Sequence, residues 1–382
     1  MVRKICAVTG TRAEYGLLKP ILLAIEQHPE LEFSLVPCGM HLSKEFGYTI
    51  KEIQKDFKID ATVDMLLSSD TGSAMAKSVG IGTIGFSHVY EAIKPDLVLV
   101  IGDRLEPFAA AIAAVYMNIP IAHVHGGEIS AGVDEPVRHA ITKLAHIHFA
   151  STEESAERII KMGEEPWRVF ISGAPGLDTI LNKNLIKPEK ILKRYGLDSK
   201  KPIILLIQHP VTTEVDESEL QMRETLEGIV ELEHQTVILY PNADAGGRKM
   251  IEILKKYIDK YPFIRAYKSI PHIEYLSLIK IASVMVGNSS SGIIETPPFH
   301  LPVVNIGTRQ EGRQRVENIL NVGYKKDEII KAVKKALYDE DFKIRVKKCK
   351  NPYGSGKAGQ RVVDILSNIK IDKKLIQKKM AY

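Results

Sequence analysis

The sequence predicts an α/β protein of two doubly wound domains, each built on a parallel sheet, facing one another across a cleft. Three observations predict it. The 382 residues correspond to about two domains at ~100–200 residues each. Short aliphatic runs alternate with amphipathic stretches along the chain, the pattern of strand–helix–strand units. That pattern restarts after a turn-rich connector running from Pro175 to Pro188. The expected divisions are 1–174, 175–355, and a terminal helix and tail over 356–382.

The elements follow in order. Ile5–Val8 reads as a buried strand, and Leu17, Leu18, Ile21, Leu22 and Ile25 then recur at helical spacing. Phe33–Pro37 is a second strand. Asp96–Ile101 is almost wholly aliphatic, as in a parallel strand covered on both faces. A helix over Pro107–Met117 leads to the strand Ile119–Val124, a helix over Val137–Ala145 to the short strand His148–Ala150, and Val169–Gly173 closes the series. Ser151, with Glu154 three residues on, reads as a helix cap. The second series holds strands at Pro202–Ile207, Thr236–Tyr240, Ile264–Tyr267, Val284–Val286 and Val303–Ile306. A last amphipathic helix, Ala358–Ile369, fits against either domain.

Composition excludes several classes. With 26% charged and 45% hydrophobic residues the chain is an ordinary folded protein. The net charge of +5 is too small to announce a nucleic-acid binder. The late lysine runs, Lys378-Lys379 among them, read as a solvated face, so Lys378→Ala is expected to cost almost nothing. No stretch approaches the ~18–20 apolar residues of a membrane span, and Thr9–Arg12 arrives too soon for a signal-peptide core. Three cysteines without a paired spacing fit a cytoplasmic location.

Chemistry gathers in the loops after the strands, where ligands bind in such sheets. Gly10 and Arg12 at a helix start favour an anion, with a turn and an exposed Arg as the other reading. Gly102-Asp103-Arg104 follows the most apolar strand. His123 and His125 lie two apart, on one face of a strand by spacing, followed by Gly126-Gly127-Glu128. A catalytic zinc needs a third ligand, so no metal is expected. Asp103, Glu128 and Asp134 supply carboxylates from adjacent loops for acid and base work. His209, after the first strand of the second series, is a candidate phosphate donor or acid. Gly287-Asn288-Ser289-Ser290 before a helix reads as a phosphate cradle, with Glu295 one turn in and placed for ribose hydroxyls. Gly354-Ser355-Gly356-Lys357-Ala358 is no P-loop, because Ala358 stands where a hydroxyl residue is required.

Taken together, Thr11-Arg12-Ala13-Glu14-Tyr15, Gly102-Asp103-Arg104, His-x-x-Gly-Gly-Glu from His123, Asp134 with Arg138-His139, Gln208-His209-Pro210-Val211-Thr212-Thr213, Pro241-Asn242, Gly287-Asn288-Ser289-Ser290 and Gly307-Thr308-Arg309-Gln310 resemble the hydrolysing UDP-N-acetylglucosamine 2-epimerases of sialic acid synthesis. The resemblance implies two Rossmann-like domains of the glycosyltransferase-B type and no cofactor. It implies a UDP-sugar substrate, with no nucleic-acid or membrane partner, and a homo-oligomer. It implies elimination of UDP to a 2-acetamidoglycal, then hydration to N-acetylmannosamine. By resemblance, Arg12, His209, Asn242, Ile270, Ser289, Ser290, Glu295 and Arg309 hold the nucleotide and Arg104 touches it. Asp103 and Asp134 are acid and base, and His209 assists. Two positions depart from the pattern. His125 stands where relatives often carry a third carboxylate, so either His125 or Glu128 takes that proton transfer. Gly16 stands where some relatives place a Ser. The same reaction on UDP-2,4-diacetamido-2,4,6-trideoxyglucose, on the route to legionaminic acid, is the nearest alternative, and a non-hydrolysing epimerase the next.

Overall fold

A computed structural model describes residues 2–67, 69, 71–182 and 185–381. Lys183 and Asn184 of the expected connector, and Met1 and Tyr382 at the ends, lie outside the described residues.

The first sheet is formed by β1 (Arg3–Thr9), β2 (Leu31–Pro37), β3 (Leu97–Ile101), β4 (Ile121–Val124), β5 (Ile147–Ala150) and β6 (Val169–Ile171). The second contains β7 (Ile203–Ile207), β8 (Gln235–Leu239), β9 (Ile264–Tyr267), β10 (Val284–Gly287), β11 (Val303–Ile306) and β12 (Ile319–Val322). Every paired neighbour runs parallel. The orders are β2-β1-β3-β4-β5-β6 and β12-β11-β10-β7-β8-β9. The strand order therefore reverses between β1 and β3 in one sheet and between β7 and β10 in the other. Crevices open at such reversals, beyond the carboxyl ends of the strands. The loops entering them are Gly10–Thr11, Gly102–Arg104, Gln208–Val211 and Asn288–Ser290.

The central strands are there because of their composition. Leu97–Ile101 and Ile203–Ile207 are buried at every position, and only a strand covered on both faces accepts five aliphatics in a row. Helices α1 (Arg12–Glu26), α2 (Gly72–Ile93), α3 (Leu105–Tyr116) and α4 (Asp134–Leu144) belong to the first domain. Thr11 caps α1 by accepting from the Glu14 N–H. Among the described residues, no helix is long and apolar enough to cross a membrane.

Two expectations are corrected, a strand is added, and the place of the last helix is settled. The cap before Glu153–Lys161 is Thr152, not Ser151, because the Ser151 hydroxyl is spent on the Glu128 carboxylate, 2.5 Å away. β12 was not anticipated, since its Ile-Leu-Asn-Val run is a partly exposed edge. The final helix, α5 (Ala358–Asn368), leaves the second domain: Val362, Val363 and Leu366 are buried in one cluster with Ile5, Leu18 and Ile21 of the first. Lys378 is not on a solvated helix face. Its ammonium donates to the carbonyls of Lys143 and Ala145 at the end of α4, the latter at 2.8 Å, and pairs with the fully buried Glu164 at 2.9 Å.

Candidate active site

The two crevices face each other and merge into one cavity of about 240 Å³. Ile101 and Gly102 at the end of β3, Ile207 at the end of β7 and Leu239 at the end of β8 form part of its wall. Arg12, Asp103, Arg104, His125, Glu128, His209, Asn242, Ser289, Ser290, Glu295 and Arg309 all line it. Two expected residues do not. Ile270 is 1% exposed and its side chain belongs to the core of the second sheet. Asp134, at the start of α4, stands behind Arg309, whose Nη2 it holds at 3.1 Å.

One half of the cavity is rich in unspent donors. The Arg12 guanidinium lies 5.0 Å over the Tyr275 ring, and its Nη1 is buried without a partner. The Asn242 N–H donates to His209 Nδ1 at 3.1 Å, so in the neutral ring the proton sits on Nε2. Burial, reinforced by the charges of Arg309, Arg104 and Arg12, holds His209 well below the usual histidine range. In its neutral form His209 is a hydrogen-bond donor through Nε2. The helix after Ser290 has only four residues, Ser291–Ile294, and Glu295 ends it rather than lying inside it. The expected helix dipole is thus slight, which leaves Arg12, His209 and the two serines as the candidate anion donors. Burial alone would raise Glu295, but His272, 3.7 Å away, Ser291 and Arg12 bring it below its ordinary value and keep it an acceptor. The departure at Gly16 has a physical reason. A Cβ there would lie 2.8 Å from the His272 ring, so His272 fills the space that a side chain on α1 would need.

The other half holds the acids. Asp103 is bound by Arg138, which is 1% exposed and also donates to the Glu128 carbonyl at 2.8 Å. His125 is not on β4. The strand ends at Val124, and His125 takes a left-handed φ of 65°, uncommon for a residue with a side chain. That twist turns its Nδ1 onto Glu128 Oε1 at 2.7 Å and leaves Nε2 buried without a partner. Burial would raise Glu128. The charge of Arg313, the His125 contact and the Ser151 hydroxyl outweigh it and bring the carboxyl down to about 2. With Glu128 ionised, the neutral tautomer of His125 carries its proton on Nδ1, and Nε2 is then the free lone pair. His123, by contrast, is a satisfied core residue: Nε2 meets the Gly102 carbonyl at 2.8 Å and Nδ1 the Thr142 hydroxyl at 3.2 Å. Among the described residues, no group of His, Cys, Asp and Glu is placed to hold a metal ion.

Arg104 pairs with Asp244 at 3.1 Å and lies 3.4 Å from Glu106, with its Nε buried without a hydrogen-bond partner. Beside it, Glu14 lines the cavity, and burial together with the neighbouring Glu106 pushes its carboxyl up to about 8. Glu14, Arg138, His272 and Arg313 are cavity residues absent from the expected set. The three arginines packed into Arg309–Arg315 just past a strand end were the available signal for Arg313.

The family model described as UDP-N-acetylglucosamine 2-epimerase matches residues 23–367. The chain belongs to that family. It is 42% identical, over the whole of both chains, to the UDP-N,N'-diacetylbacillosamine 2-epimerase (hydrolyzing) of Legionella pneumophila. It is 36% identical to the UDP-N-acetylglucosamine 2-epimerase of Neisseria meningitidis serogroup B, with 88% of each covered. Among solved structures it superposes on the S. aureus MnaA–UDP co-structure with a TM-score of 0.80, covering 100% of both chains at 21% identity, which is a likeness of fold. As a UDP-sugar 2-epimerase, the chain has the two-domain parallel-sheet architecture of its family.

Proposed function

We propose that this UDP-sugar 2-epimerase is of the hydrolysing kind and acts on UDP-N,N'-diacetylbacillosamine, which is UDP-2,4-diacetamido-2,4,6-trideoxyglucose. The observation that carries the chemistry is that two of the cavity's unspent groups are the donor Arg12 Nη1 and the acceptor His125 Nε2. A diphosphate ester lies against Arg12, His209 Nε2–H, Ser289 and Ser290, with Glu295 on the ribose. Its sugar extends toward His125 and Asp103. The bond from C1 to the diphosphate oxygen breaks and its electron pair leaves with UDP. His125 Nε2 takes the C2 proton, giving the 2-acetamidoglycal. Water then adds to C1: the Asp103 carboxylate takes its proton as the hydroxyl bonds to C1, that proton passes to C2 on the face opposite the one His125 deprotonated, and His125 gives its own proton to solvent as UDP leaves. The C2 hydrogen is weakly acidic, so most of the catalytic help goes to charge on the departing diphosphate. Asp134 acts on this centre through Arg309 rather than at the sugar.

The choice of sugar is supported by the higher identity to the Legionella relative, 42% against 36% for the meningococcal one. The test is to incubate each nucleotide sugar with the protein in deuterated water and follow UDP release and the proton NMR of the product. Free 2,4-diacetamido-2,4,6-trideoxymannose carrying deuterium at C2 is expected. N-acetylmannosamine released faster from UDP-N-acetylglucosamine would reverse the substrate order. A UDP-bound epimer without free UDP would overturn hydrolysis.

A further inference from the structure

We propose that Arg313 is a positioning residue for proton transfer: reaching across the cleft from the second domain, it fixes Glu128 so that His125 keeps its proton on Nδ1 and turns a bare Nε2 to the substrate. The dyad is then complete only when the two domains stand together. The inference rests on the reading of His125 as the base.

Glu128 is the junction. Its Oε1 accepts from His125 Nδ1 at 2.7 Å and from the Ser151 hydroxyl at 2.5 Å, both within the first domain. Its Oε2 has a partner from the second domain: Arg313 Nη2 at 3.1 Å. Arg313 sits in the loop between β11 and β12, is 7% exposed, and also meets the Ile129 carbonyl through Nε at 3.4 Å. It is one of several bonds across the same cleft. Arg309 holds Asp134 at 3.1 Å, the Thr212 hydroxyl accepts from the Val133 N–H at 3.1 Å, and Arg248 grips both oxygens of Glu45 at 2.8 Å. Among these, the Arg313 contact ends on the carboxylate that orients His125.

The electrostatics give the contact its consequence. Glu128 is 4% exposed, and a carboxylate so buried reverts to the neutral acid unless charge holds it. Arg313 is the foremost influence opposing burial at Glu128. A neutral Glu128 would donate to Nδ1 instead of accepting from it, and the imidazole proton would move to Nε2. The nearby charges do not replace Arg313. Arg138 is paired with Asp103, the Arg158 guanidinium donates to the Gly127 carbonyl at 2.5 Å, His123 is held neutral by burial, and the Tyr353 phenol is raised by burial. An orienting group of this kind sets the tautomer of a catalytic histidine without touching substrate.

The test compares wild type, Arg313→Gln and Arg313→Lys by turnover, UDP affinity and ¹⁵N-histidine NMR of the full chain, with His125→Gln used to assign the His125 resonances. Arg313→Gln is expected to lower kcat by about a hundredfold or more. UDP affinity should stay within about threefold, and the His125 signal should leave the Nδ1–H pattern. Arg313→Lys should restore that pattern and part of the rate. An unchanged His125 tautomer in Arg313→Gln would overturn the inference, whatever the rate does. A loss of UDP affinity matching the loss of kcat would overturn it as well, by making Arg313 a nucleotide-binding residue. If wild type releases no UDP from either nucleotide sugar, the proposed function fails on its own, and the tautomer still reports on Arg313.

Discussion

Arg12 is the most direct probe of the anion grip. Its guanidinium is fixed over Tyr275 with one buried nitrogen that nothing in the protein satisfies, the arrangement expected of a donor reserved for a ligand. In the proposed binding mode, replacing it by Ala removes one charge-assisted hydrogen bond to the diphosphate, worth about 1.5–3 kcal/mol. At about 1.4 kcal/mol per decade, kcat/KM should fall roughly tenfold to a hundredfold. Charge on the leaving oxygen grows as the bond breaks, so part of the loss should appear in kcat and not only in KM. Arg12→Lys should recover some of it, because the ammonium keeps the charge but not the fork. The assay is coupled detection of released UDP, with Lys347→Ala as the reference, since Lys347 is exposed and belongs to neither domain's cavity. Lys378 would be a poor reference because it is tied to Glu164 and α4. If Arg12→Ala stays within about twofold of Lys347→Ala, the diphosphate does not lie where the cavity's free donors place it.

Other outcomes follow from the same geometry. Lys378→Met removes a charged donor from Glu164 and from the end of α4, while Lys143 and His148 still hold the carboxylate. The loss should be about 1.5–3 kcal/mol, read as a lowered urea midpoint at pH 7, and an unchanged midpoint would refute the assignment. Acid should destabilise in two stages. Burial holds His41 and His123 at about 3. Between about 6.5 and 3 the unfolded chain therefore binds protons that the fold does not, and stability falls with pH by up to about 2.7 kcal/mol per unit for the two rings. Glu128 and Glu164, held at about 2 by their partners against burial, extend the fall from about 4.5 down to about 2. A urea midpoint that is flat from pH 7 to 4 would contradict this. Gly127 has a φ of 73°, and a Cβ there would come within 2.3 Å of the Ser155 carbonyl oxygen. Gly127→Ala should therefore cost on the order of 2–4 kcal/mol and lower the melting temperature by several degrees; a melting temperature within about one degree of wild type would show that the loop yields.

Much of the fold was legible because parallel strands buried on both faces write themselves as unbroken aliphatic runs. Leu97–Ile101 and Ile203–Ile207 could be little else. β12 was hidden because an edge strand need not be aliphatic, and Asn321 interrupts it. Position after a strand end also pointed to Arg12, Asp103, His209 and Ser290, and all four meet in the cavity. What sequence order could not convey was partnership. Asp103 and Asp134 looked alike as loop carboxylates. One lines the cavity and is paired with Arg138, and the other lies outside the lining, paired with an arginine 175 residues away in sequence. His125 was read by strand alternation as the companion of His123. The backbone turns left-handed at His125 itself, and that single dihedral separates a core histidine from one with a free nitrogen in the cavity. Lys378 misled for a similar reason, since only the return of the tail gives it a buried carboxylate.

That return also sets the order in which the molecule can be finished. The apolar stripe of α1 that holds Leu18 and Ile21 is covered in part by Val362 and Leu366 of α5, made hundreds of residues later. At a synthesis rate of about 5–20 residues per second, the interval is roughly 20 s to over a minute. The lobe that begins first is thus sealed last, with the other already emerged from the ribosome. A nascent chain cut short before Ala358 would carry its defect at the amino-terminal end.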